Sequence, residues 1–133
     1  MMKRPLAGPP SLDDLEQIAR AQLASIPELF RRHVRNVVIR VEEFCDEEVE
    51  ADMGLDSPFD LLGLYRGVSL DRKSVAVGAA DLDMIFLYRR PILDYWCESG
   101  EDLNSIVRHV LVHEIGHHFG LSDDDMDRIE NAG

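Results

Sequence analysis

The segment from Ser99 to Gly120 constrains this chain more than any other, because an apolar stripe and four of the five histidines share one helical repeat. Leu103, Ile106, Val107, Val110 and Leu111 recur at the spacing of a helix with one buried face. Ser99 is the expected N-cap, with Glu101 and Asp102 in the first turn, and Gly120 is the expected stop. Inside this helix His113, Glu114 and His117 spell H-E-x-x-H. Positions four apart differ by roughly 40° around a helix and stand one turn above each other, so both imidazoles can face one metal ion. Glu114 falls in the middle of the inward stripe and the two histidines at its edge. An inward charge is costly unless it is paired or serves a metal site.

Two neutral imidazoles suit zinc and leave positions for a third protein ligand and a water. Glu114 is placed to hydrogen-bond that water without ligating, which is the arrangement for metal-assisted hydrolysis: the glutamate takes the proton of a zinc-bound water that attacks a polarised carbonyl. The pattern extends to H-E-x-x-H-x-x-G-x-x-D. A glycine at position 120 can adopt positive φ and turn the chain back, bringing Asp123 to the metal as third ligand. Asp124 and Asp127 are alternatives for that place, and a capping or solvated role for these acids is the remaining one. Gly116 leaves room for a neighbouring element. His118 is expected in the core or behind the ligands, His109 to ligate only if the helix bends, and Met126 to pack in the core.

Elsewhere, Ser11 followed by Asp13, Asp14 and the repeat Leu12, Leu15, Ile18, Ala19, Leu23, Ile26 predicts an amphipathic helix bounded by Pro27. Asn36–Phe44 and Met84–Tyr88 read as strands, and Asp60–Tyr65 as a weaker one interrupted by Gly63. Residues 67–80 carry turn residues and short apolar pieces. Residues 1–10, with three prolines, form an expected flexible leader to a single domain at 11–133.

The net charge is −12. Nine acids and no Lys or Arg lie between residues 42 and 60, and five more acids follow residue 120. The first run reads as a solvated face that could also bias a nearby cleft towards basic peptides. Such a balance disfavours nucleic acid, and no apolar run approaches the roughly 20 residues of a membrane span. Cys45 and Cys97 make no disulfide framework and are expected to be small buried hydrophobes. No signal-peptide core follows the basic residues at the N-terminus, so a cytoplasmic monomer is expected.

The segments Pro58–Gly67 (PFDLLGLYRG), Ile85–Pro91 (IFLYRRP) and His113–Asp123 (HEIGHHFGLSD), in this order, resemble the small bacterial zincin-like metallopeptidase family of minimal zincins. The resemblance implies an α+β fold in which a small mixed β-sheet packs on an N-terminal helix and an active-site helix. It implies Zn²⁺ held by His113 and His117, with Glu114 as general base. The extended pattern is similar to the metzincin consensus, with Asp123 where that has a third histidine and without its methionine-turn region. Zincins hold an extended peptide on an exposed edge strand. Asp60–Tyr65 is favoured for this over Met84–Tyr88, and Tyr65 or Tyr88 is expected to pack rather than bind an oxyanion. The expected function is zinc-dependent hydrolysis of short or unfolded peptides. A non-catalytic zinc-stabilised interaction module is the alternative.

Overall fold

The computed structural model describes residues 8–31, 37–68 and 82–131. In chain order they form α1 (Leu12–Ser25), α2 (Glu28–Arg31), β1 (Val37–Glu42), α3 (Glu47–Asp52), a 3₁₀ turn (Pro58–Asp60), β2 (Gly63–Val68), β3 (Leu82–Tyr88), α4 (Arg89–Ser99), α5 (Leu103–His118) and α6 (Asp123–Asn131). β3 is the central strand, parallel to β1 and antiparallel to β2, so the sheet is small and mixed. The fold is α+β, as the resemblance implies.

α1 starts where the sequence predicts. Ser11 accepts the Asp14 N–H at 3.0 Å and Asp14 accepts the Ser11 N–H at 2.8 Å, a reciprocal cap. Its Leu15 and Ala19 are fully buried with Ile85 and Leu87 of β3 and Val107, Leu111 and Ile115 of α5. A second, smaller cluster joins Cys45, Val49, Leu61 and Tyr88. Arg108, buried on α5, donates to Ser25 Oγ (2.6 Å) and to the carbonyls of Glu130 (2.8 Å) and Ile129 (3.2 Å). One guanidinium therefore ties α1 and the last turn of α6 to α5, and satisfies carbonyls that a helix end leaves without partners.

Several expectations shift. β2 begins at Gly63 rather than Asp60, because Ser57 and Asp60 cap each other across Pro58 and commit that stretch to a 3₁₀ turn. The N-cap of α5 is Asp102, which accepts the Ser105 N–H at 3.1 Å. Ser99 instead ends α4, where Gly100 (φ 71°) closes the helix. α2, α3, α4 and α6 are helices that the sequence pattern does not predict. α3 buries only Val49 of its acidic run, and α4 opens on Arg-Arg-Pro, where a proline in the first turn removes no intrahelical bond. Cys45 is buried as expected, but Cys97 is exposed on α4. Pro10 is buried and its carbonyl accepts from Arg89 Nε at 2.6 Å; Gly67 and Val68, expected in the turn-rich stretch 67–80, end β2, and residues 69–80 of that stretch, like residues 1–7 of the expected leader, lie outside the described residues. Among those described, no helix is long and apolar enough to cross a membrane.

Candidate metal centre

α5 ends in a glycine turn. Gly120 adopts φ 72°, its N–H reaches the His117 carbonyl (3.2 Å), and the Leu121 N–H reaches the Gly116 carbonyl (2.9 Å). The chain reverses and α6 packs back along α5. Gly116 makes that approach possible, since a Cβ there would lie 2.6 Å from Cγ of the fully buried Met126. Both readings, room at Gly116 and a core role for Met126, match the structure.

On the other flank of α5 stands β2. The Leu62 carbonyl accepts from Tyr88 N–H at 2.9 Å, so by strand alternation Leu64 and Arg66 face β3 while Gly63 and Tyr65 turn their main-chain groups outward. Among the described residues β2 is thus an edge strand and β3 is not, which favours the first of the two strands considered for peptide binding. The Tyr65 N–H donates to Glu114 Oε1 at 3.3 Å. Burial pushes the Glu114 carboxyl above its ordinary range, while this N–H and the nearby His117 pull it back. The Tyr65 ring stacks on His118, centroids 4.0 Å apart, and its hydroxyl donates to Asp83 at 2.6 Å. Burial and Asp83 both raise the phenol's pKa. The satisfied hydroxyl fits packing rather than oxyanion binding, and Tyr88 is buried, its pKa pushed up to about 12. His118 is exposed rather than in the core, with the Tyr65 ring on one face and the Phe119 ring at its edge.

His113 faces α6. Its Nε2 is buried without a hydrogen-bond partner and lies 3.6 Å from Glu130 Oε2. Burial lowers its pKa, His109 acts in the same direction, and Glu130 opposes both. The His109 ring lies 3.9 Å from the His113 ring, and His109 Nδ1 is 2.8 Å from Glu130 Oε1. The His117 ring is 5.9 Å from His113 and exposed. Asp123 and Asp124 occupy the exposed first turn of α6, and Asp127 is exposed one turn later. Ligand atoms of His109, His113 and Glu130 all lie within 4.8 Å of one another, and among the described residues no other such triple of His, Cys, Asp or Glu is present. His117 and Asp123 stand outside this group. No bend was needed to bring His109 in, since α5 is continuous from 103 to 118. Glu130 was missed because α6 was not read as a helix. Met126 and Glu130 are four apart, so a helical reading of the acidic tail would have put both on the face turned to α5.

A family model of zincin-like metallopeptidases matches residues 34–132. The chain belongs to this family. No curated protein matches it. The side chains of this zincin-like metallopeptidase fit the zinc that the family implies, because a buried imidazole nitrogen with no hydrogen-bond partner, favoured in its neutral form, is what a metal ligand requires.

Proposed function

We propose that this zincin-like metallopeptidase hydrolyses peptide bonds in short or unfolded chains. His113 and His117 hold zinc, Asp123 is the third ligand, and Glu114 is the general base. Bound zinc supplies Lewis acidity, polarising the scissile carbonyl and acidifying a water. Glu114 accepts a proton from the attacking water and returns it to the departing amine nitrogen. The outward main chain of Gly63 and the Tyr65 carbonyl hold the extended substrate by strand addition, the Tyr65 N–H being kept for Glu114.

The observation that carries this reading is the bond from Tyr65 N–H to Glu114. It places the carboxylate against the edge strand, where the backbone of an added peptide would run, and fixes one oxygen while the other is left to handle a proton. Burial that raises the carboxyl's pKa also makes it a stronger base once ionised. Glu114→Gln is expected to keep its zinc and lose kcat/KM by roughly 10²- to 10⁴-fold on an unstructured peptide. Turnover equal to the parent protein would refute the role assigned to Glu114.

A further inference from the structure

His109, His113 and His117 stand at successive i, i+4 positions on α5, one stripe in which His113 is a single turn from each neighbour. The pair His113–His117 belongs to H-E-x-x-H. The other pair has its own carboxylate, contributed by α6. We infer that His109, His113 and Glu130 form a second site for a divalent transition metal, and that it competes with the His113–His117 pair for the one lone pair on Nε2 of His113.

The site is built rather than accidental. Glu130 uses one oxygen for each ring, with Oε1 at 2.8 Å from His109 Nδ1 and Oε2 at 3.6 Å from His113 Nε2. Tetrahedral ligands about 2.0–2.1 Å from zinc stand about 3.3 Å from each other. The ligand atoms of His109, His113 and Glu130, one from each residue and all within 4.8 Å of one another, would close to that spacing around an ion. The backbone behind the carboxylate is fixed, because the buried Arg108 grips the carbonyls of Ile129 and Glu130. Arg108 and His109 are neighbours on α5, so adjacent residues hold the main chain and the side chain of the same glutamate. Two imidazoles and a carboxylate suit zinc and leave one position for water. An ion there would staple the end of α6 to α5 and, by taking His113, empty the pair used for hydrolysis.

The inference shares His113 with the proposed peptidase site but does not depend on hydrolysis. Its test is zinc binding to the full chain, followed by competition with a chromophoric chelator and by melting temperature. His117→Ala removes an exposed ring and breaks only the H-E-x-x-H pair. This variant is expected to bind one equivalent of Zn²⁺ and to melt higher with zinc than without. Adding Glu130→Gln to it should weaken the remaining binding at least about tenfold and remove the rise in melting temperature. Adding His109→Ala instead should do the same, and since His109 is exposed this change carries the test if Glu130→Gln loosens α6. No zinc uptake by His117→Ala, or residual binding indifferent to both second changes, overturns the inference. An active Glu114→Gln variant would refute the general base and leave these titrations as they are.

Discussion

The two flanks of α5 are approached by the same device and used differently. Towards β2 the glycine is on the strand: a Cβ on Gly63 would lie 2.5 Å from Val110 Cγ1 and 3.1 Å from the Phe86 carbonyl. Towards α6 the glycine is on α5 itself, at Gly116 under Met126. The β2 flank then meets Glu114 with a main-chain N–H fixed by sheet pairing, whereas the α6 flank meets His109 and His113 with the side chain of Glu130. Backbone donors repeat along a strand and suit an extended chain of any sequence. A single carboxylate between two imidazoles suits an ion. The contrast teaches that one helix can present a carboxylate to the main chain of one neighbour and imidazoles to a side chain of the other, provided each neighbour can come close.

The strongest way to break this contrast is to loosen one flank alone. Met126→Ala deletes a fully buried side chain and is expected to cost about 2–5 kcal/mol. Hydrogen exchange should accelerate through α6 while the amides of β2 keep their protection. Equal loss of protection on both flanks would show that they are one cooperative unit. Gly63→Ala attacks the other side. The Val110 methyl can move but the Phe86 carbonyl is main chain in the central strand, so a cost of about 1–3 kcal/mol is expected from overpacking. Peptide hydrolysis should fall with it, while zinc affinity, read by chelator competition, stays near the parent value. Unchanged melting temperature and activity would mean that β2 does not need the close approach.

Legibility in the sequence follows the same division. α1, β1, β3 and the H-E-x-x-H helix were readable because each carries enough apolar residues for its period to stand out, and Glu114 was readable as inward because that period fixes the face. The mixed order of the sheet and the edge position of β2 depend on pairings between distant residues, which no local pattern encodes. α3 and α6 bury one residue each among acids, Val49 and Met126, so their helical period is nearly silent. Glu130 was hidden by the same cause: in an acidic tail, the one carboxylate with a partner on α5 looks like its neighbours until the helix is known. Ser99 reads as the N-cap with Asp102 in the first turn, but Gly100, free to take positive φ, ends α4 after Ser99 and leaves Asp102 to start α5.

The finest difference between the flanks is alkaline sensitivity. Tyr65 on β2 donates to Asp83, and burial with that carboxylate raises its phenol pKa above the ordinary value of about 10. The folded state therefore holds this proton more tightly than the unfolded chain does. The resulting stabilisation is complete below the unfolded pKa and is lost as pH rises above it. Tyr65→Phe keeps a ring to stack on His118 but loses the Asp83 bond, about 1 kcal/mol at neutral pH. Its denaturant midpoint should then fall less steeply above pH 10 than that of the parent protein. Some slope remains in the variant, since Tyr88, raised to about 12, behaves in the same sense. The α6 flank has no tyrosine, so exchange at high pH should open β2 before α6. An alkaline slope identical in both proteins would mean that the Tyr65 hydroxyl is not held by Asp83 in solution, and that this bond adds nothing to the sheet pairing, the Glu114 bond and the ring stack that hold the β2 flank.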